Sequence, residues 1–428
     1  MRVIIINPPY LEIYGAYKEA AKLGAQPQMP LGICHIATIL DKMGHEVKAI
    51  DSDVEGYTMD GLIHEIGRFK ADLVGISSST PTFPVTRNLV KYIKKHHPQV
   101  KIFLGGPHVT VLPEQAIEQS RADFGLYYEA EDTLSELMAE LSKEGNDFSQ
   151  IKGLVYIDKE GKVVKNERRE QLADLDSLPM TNRRFVDIDK YVWSIPGRGF
   201  VKVTSLVTQR GCPFKCTFCC VPGMYTGARF RSLNLVMEEL EDVVNVLGIK
   251  HIYIQDDTLT LNKKKVEEMC HEIIRRGLDF TWEGYTRANL VDKELLTLMK
   301  KAGMIRLSFG LETGNQHILN AIKKGTKLED YEKAYDWCDE LGIETRASVM
   351  IGHPFETRET VKKTVAFLKK LKVYQAYINI STPYPGSELY EQAKAGYGGL
   401  KLLTDDWEEY QRYGNAVVEV NDLKREDL

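Results

Sequence analysis

No hydrophobic run in the 428 residues reaches membrane-spanning length, which argues against a transmembrane helix. There is no basic tract and no interleaving of basic with aromatic residues, and the net charge is −5. Nucleic acid is therefore a poor fit as substrate. The apolar start ends at Asn7-Pro8-Pro9, too short for a secretory signal, and reads as a buried strand. The seven cysteines follow no framework spacing, which argues against disulfides and for a reducing compartment. A cytoplasmic protein without a membrane span is expected. The chain is too long for one ordinary core, so two or three domains are expected. The last residues, Asn421–Leu428, read as an interrupted helix start, from which a missing C-terminal tail is expected.

What the chain does have is a cysteine triplet. Cys212, Cys216 and Cys219 lie in Gly-Cys-Pro-Phe-Lys-Cys-Thr-Phe-Cys, a CxxxCxxC spacing that follows a predicted strand, Val201–Thr208. Three thiolates can hold three corners of a [4Fe–4S] cube, and the fourth iron then stays open to a non-protein ligand. An open position distinguishes catalytic from structural metal sites. A zinc site is the alternative, but structural zinc favours four ligands in paired clusters, and Cys34, Cys220, Cys270 and Cys338 are scattered. Cys220 is read as a buried free thiol or a reactive one.

This loop resembles the signature of the radical S-adenosylmethionine (SAM) superfamily. The resemblance implies that SAM chelates the open iron and is cleaved to a 5′-deoxyadenosyl radical by one electron. A low-potential donor such as flavodoxin or ferredoxin would supply that electron. Phe218, between the last two cysteines, would lie against the adenine side.

Residues 1–145 alternate β-branched runs with amphipathic stretches, which predicts a doubly wound α/β sheet. Its strands are expected at Val3–Asn7, Glu46–Asp51, Leu73–Ser77, Lys101–Leu104 and Phe124–Tyr127. Ligands bind beyond the carboxyl ends of such strands, where Asn7, Tyr10, Ser77, Ser78, Ser79, Gly105, Gly106, His108 and Glu129 fall. The residues alone also fit plain α/β architecture, with Gly105-Gly106 a turn and His108 a hydrogen-bonding or surface group. With Pro30-Leu31-Gly32, Gly44-His45-Glu46-Val47 and Gly75-Ile-Ser-Ser-Ser, the segment resembles a Rossmann-like cobalamin-binding domain. Two departures stand out. The loop after the first strand lacks the DxHxxG histidine that ligates cobalt from below, a loss common in the resembling class. The usual Gly-Glu-Gly-Glu after the fifth strand is Tyr128-Glu129-Ala130-Glu131.

Residues 146–195 are expected to form a hairpin and linker, with Lys159-Glu160-Gly161 as the turn. Residues 196–390 repeat the βα alternation six times, predicting a partial (β/α)6 barrel, and 391–428 form a C-terminal extension. Catalytic residues crowd the carboxyl ends of barrel strands. Asp257, Arg287, Glu312 and Gly352 lie at such ends. The resemblance assigns them to SAM: carboxylates for its ammonium and hydroxyls, Arg287 for its carboxylate, and Gly352 for close approach of adenine. Tyr225, Arg229 and Arg231 line the substrate cavity or merely cover the barrel.

Taken over nearly the whole chain, the sequence resembles the cobalamin-binding radical SAM class that includes the anaerobic magnesium-protoporphyrin ester cyclase and the cobalamin-dependent methylases. The expected cofactors are a [4Fe–4S] cluster, SAM and cobalamin. The expected activity is methyl transfer to an unactivated carbon of a small molecule. A radical cyclase, mutase or dehydratase is the alternative within the class, and an iron–sulfur electron carrier is the alternative outside it.

Overall fold

Val3, Ile4, Ile5 and Ile6 are all almost completely buried, as a strand covered on both faces of a parallel sheet must be. They belong to β1 (Arg2–Asn7), which pairs in parallel with β2 (Glu46–Asp51) and β3 (Leu73–Ser77). Next come β4 (Lys101–Gly105) and β5 (Phe124–Leu126), also parallel. The expected hairpin forms as β6 (Leu154–Ile157) and β7 (Val163–Lys165), and it extends this sheet, because β6 pairs antiparallel with β5. The order is β2-β1-β3-β4-β5-β6-β7. The order reverses between β1 and β3, the switch point where doubly wound sheets bind ligands.

The computed structural model describes residues 1–11, 14, 18, 26–410 and 415–428. It separates into two compact units. The first is Met1–Ala173 with Ser177–Tyr191 and Asp406–Arg412; the second is Asp174–Asp176, Val192–Asp405 and Tyr413–Leu428. Among the described residues, no helix is long and apolar enough to cross a membrane.

The second unit carries β8 (Val192–Ile195), β9 (Gly199–Leu206), the short β10 (Gln209–Arg210) and β11 (Arg229–Phe230), then β12 (His251–Ile254), β13 (Thr281–Thr286), β14 (Met304–Glu312), β15 (Glu344–Ile351) and β16 (Gln375–Ile380). Its main sheet runs β16-β15-β14-β13-β12-β9-β8. The six parallel strands are those expected of the partial barrel. The seventh, β8, is antiparallel to β9 and was not expected, since four residues after a linker carry little pattern. The strands β17 (Leu400–Leu402) and β18 (Val418–Val420) pair as a small ribbon.

Candidate active site

The cysteine loop is fixed before any metal is considered. Gly211 has φ +87°, and a Cβ there would lie 2.3 Å from the Gly227 carbonyl oxygen, so this crossing of β10 and β11 requires glycine. The Gly211 amide donates to Asp257 Oδ2 at 3.1 Å. Further along, Thr217 donates to the Ile322 carbonyl at 3.0 Å and accepts from the Leu389 amide at 2.7 Å. Cys216 is buried, Cys212 and Cys219 are half-buried, and all three are free thiols. Among the described residues, no group of three or more His, Cys, Asp or Glu converges to hold a single metal ion. Three cysteines of one anchored loop suit three corners of a cube.

Around this loop, the strand ends carry buried groups whose hydrogen bonds are incomplete. Arg287, just past β13, is 5 % exposed. Its guanidinium lies 3.8 Å over the Phe214 ring, and its Nη1 donates to Cys216 Sγ at 3.5 Å. Its Nε and Nη2 are buried with no partner, a cost of about 1–3 kcal/mol unless a ligand completes them. Glu312 ends β14 where the register shifts and has φ +63°, a strained conformation typical of functional sites. Lys324 Nζ meets its Oε1 at 2.6 Å, with both side chains buried. Burial works to lower the Lys324 pKa, but Glu312 and, to a lesser degree, Tyr331 and Cys216 outweigh it and raise the pKa. Gly310 makes room for this pair: a Cβ there would lie 2.4 Å from Glu312 Oε1 and 2.6 Å from Lys324 Nζ. Lys324 Nζ also lies 5.8 Å from the centre of the Phe218 ring.

Buried carboxylate, ammonium and guanidinium groups at these strand ends suit the zwitterionic end of an amino acid. Lys324 is the residue sequence reasoning missed; its only signal was the run Lys323-Lys324-Gly325, which reads like any solvated lysine pair. Gly352 and His353, past β15, both donate their amides to Glu356 Oε2, at 2.6 and 3.1 Å. Burial lifts Glu356 to about 7 and drops His353 to about 3. The Phe218 and His353 rings are 6.0 Å apart, which brings Phe218 near the residue that follows Gly352. Of the two aspartates after β12, Asp256 is structural: it accepts the Thr208 and Gln209 amides. Asp257 is exposed.

Other groups near the loop are committed elsewhere. Arg231 donates to the Val207 carbonyl and pairs with buried Glu239 at 2.6 Å, so it braces the barrel. Arg229 lies 5.7 Å over the Tyr225 ring. The Cys220 thiol donates to the Pro385 carbonyl, and burial pushes its pKa up to about 11, so it rests as a thiol.

In the first unit, the loops after β3 and β4 lock together. Ser78 donates to the Gly105 carbonyl and accepts from the His108 amide. Gly106 has φ +101°, and a Cβ there would lie 2.7 Å from the Ser78 oxygen. The Ser78 hydroxyl is buried without a partner, nothing lies within 4 Å of a Cβ built on Gly105, and Ser77 and Ser79 are half-buried. An orphaned hydroxyl beside an open glycine at the switch point fits a ligand tail such as that of cobalamin. Asn7 donates to Asp51 at 3.1 Å and the Tyr10 amide to Asp53 at 2.6 Å. Glu129 accepts the Leu172 amide at 2.9 Å.

His108 is offered by the sequence either as a cofactor contact or as a hydrogen-bonding group. It lies in the short helix Pro107–Val111, fully buried, stacked 4.0 Å from Phe83 and edge-on to Trp407. Its Nδ1 is 3.1 Å from the Thr80 hydroxyl, and burial lowers its pKa to about 3. Two aromatic rings enclose the neutral imidazole, and its Nε2 is buried without a partner.

Comparison with known proteins agrees with this division of the chain. Residues 206–368 match the radical SAM superfamily and residues 24–138 the B12 binding domain. A Pyrococcus horikoshii protein named as an uncharacterised methyltransferase is 35 % identical over 96 % of this chain and 86 % of its own. The anaerobic magnesium-protoporphyrin IX monomethyl ester cyclase of Rubrivivax gelatinosus is 28 % identical over 100 % of this chain and 75 % of its own. Among solved structures, the radical SAM methyltransferase TsrM of Kitasatospora setae, with cobalamin and a [4Fe–4S] cluster bound, shares the fold. Its TM-score is 0.77 at 22 % identity, covering 95 % of this chain and 81 % of that one.

Proposed function

Because the chain belongs to the cobalamin-binding radical SAM enzymes, we propose that it methylates an unactivated carbon of a small molecule. Arg287 carries the reading: two of its buried nitrogens lack partners while a third touches a cysteine of the triplet. Bound there, a [4Fe–4S] cluster with SAM supplies hydrogen abstraction from carbon, and cobalamin supplies the methyl group. Cys212, Cys216 and Cys219 would hold the cluster. Glu312 would take the SAM ammonium and Arg287 its carboxylate by charge-assisted bonds. Phe218 and Gly352 would flank the adenine, with Asp257 within reach of a hydroxyl. Preorganised positioning of this kind can lower a barrier by about 7–11 kcal/mol.

In the first unit, Ser77, Ser78, Ser79, Gly105 and Gly106 would cradle the cobalamin tail, with Asn7, Tyr10 and Glu129 shaping the adjoining loops. With no histidine in the first loop and His108 enclosed, cobalamin would bind without a protein imidazole. Triplet chemistry needs a reducing setting, which supports a cytoplasmic location and an external one-electron donor of the flavodoxin or ferredoxin kind. The cyclase relative, aligned over the whole chain, supports ring formation as the second reading.

The test is anaerobic reconstitution with iron, sulfide and cobalamin, followed by reduction in the presence of SAM. Release of both 5′-deoxyadenosine and S-adenosylhomocysteine is expected. Release of 5′-deoxyadenosine alone would favour the cyclase reading, and release of neither would sink both.

A further inference from the structure

We infer that Arg287 does more than hold a carboxylate: it raises the reduction potential of the cluster and ties that potential to SAM occupancy. The inference rests on the cluster reading above. One planar group makes two kinds of contact. Its Nη1 donates to Cys216 Sγ at 3.5 Å inside the protein, while its Nε and Nη2 stay buried and unbonded. The guanidinium carbon lies 3.8 Å from the centre of the Phe214 ring, itself in the cysteine loop, a platform for the group.

Hydrogen bonds to the sulfurs and nearby charge are among the determinants of iron–sulfur potentials. A cationic donor on a cysteine sulfur stabilises the more negative, reduced cluster and so raises its potential. The electron comes from an external one-electron donor, which is oxidised as the cluster is reduced. A ligand carboxylate on Nε and Nη2 neutralises part of the guanidinium charge. Because the fork is rigid, that ligand also changes how Nη1 meets the sulfur. One side chain therefore reports cofactor binding to the cluster.

The experiment is a redox titration, followed by electron paramagnetic resonance, of reconstituted wild type, Arg287→Gln and Arg287→Lys, each with and without SAM. Arg287→Gln is expected to move the midpoint more negative by about 59 mV or more, a tenfold loss of reduced cluster at fixed donor potential. The SAM-dependent shift of wild type should shrink in the same variant. Arg287→Lys keeps the charge and should fall between the two. If Arg287→Gln loads poorly with iron, Arg287→Lys and Phe214→Leu, which frees the guanidinium from its platform, carry the same test. Fully loaded variants with wild-type midpoints and only weakened SAM binding would overturn the inference, leaving Arg287 a plain carboxylate ligand. Wild type that takes up no cluster would instead remove the functional reading beneath it.

Discussion

The two ends of the same strands treat buried charge in opposite ways. Toward the amino ends of β13, β14 and β15, Glu283 accepts Arg306 on one oxygen at 2.7 Å and Arg346 on the other at 2.8 Å. Arg306 also binds Glu344 at 2.8 Å, and Arg346 binds Gln375 at 3.2 Å. His251 Nδ1 meets Thr281 at 2.9 Å, while its Nε2, 3.8 Å from Glu283, is buried without a hydrogen bond. At the carboxyl ends, Arg287 keeps two nitrogens, His353 one and Glu356 an oxygen buried without partners. A nearly complete network fixes a fold. An incomplete one costs stability and is retained where a ligand completes it. The difference lies in pairing, since both ends are buried.

The largest expected effect is at the paired end. Glu283→Ala removes the carboxylate that two buried guanidiniums share, and stranding a buried charge typically costs about 3–5 kcal/mol. Urea unfolding should report a loss of that size, with SAM affinity of the folded fraction nearly unchanged. A loss below about 1 kcal/mol would mean that the paired end is not what holds these strands, and the contrast would collapse.

Next in size is Glu312→Gln, at the incomplete end. The amide oxygen still accepts from Lys324, but the buried ammonium loses its counter-charge, so unfolding should lose up to about 3 kcal/mol, less than at Glu283. Loss of the charge should weaken SAM binding to the reconstituted protein by about 10–100-fold, the worth of a charge-assisted hydrogen bond. Isothermal titration against SAM measures it. Equal affinity for the two proteins would take Glu312 out of the cofactor site.

This contrast was only half legible beforehand. The triplet was read because its chemistry is local: Cys212, Cys216 and Cys219 stand within eight residues, and spacing alone carries the meaning. The strand ends were read because alternation fixes where a strand stops, which put Arg287, Glu312 and Gly352 in view. Lys324 escaped because its significance is a matter of depth: nothing in its sequence neighbourhood says that it turns inward onto Glu312. His108 was ambiguous for a related reason. A histidine after Gly-Gly-Pro looks like a ligand, but Trp407, far along the chain, packs against it. Asp256 and Asp257 are neighbours of one type, and only the fold separates the buried residue from the exposed one. Burial and long-range packing are three-dimensional facts, and one sequence does not encode them as pattern.

The smallest expected effect sharpens the contrast through pH. Burial raises Glu356 from an ordinary 4.5 to about 7, against the pull of the Gly352 and His353 amides. The folded protein therefore holds this proton more tightly than the unfolded chain. Its contribution to stability is complete below about pH 4.5 and is lost as pH rises to about 7. Glu356→Gln has no proton to lose. Unfolding free energies of metal-free wild type should fall by about 1 kcal/mol more than those of the variant between pH 6 and pH 8. The sign matters more than the size. A paired carboxylate such as Glu283 has its negative charge answered by Arg306 and Arg346, whereas Glu356 gains stability by becoming neutral. If the two proteins lose stability in parallel across that window, Glu356 is already ionised in the fold, and its orphaned oxygen has found a partner.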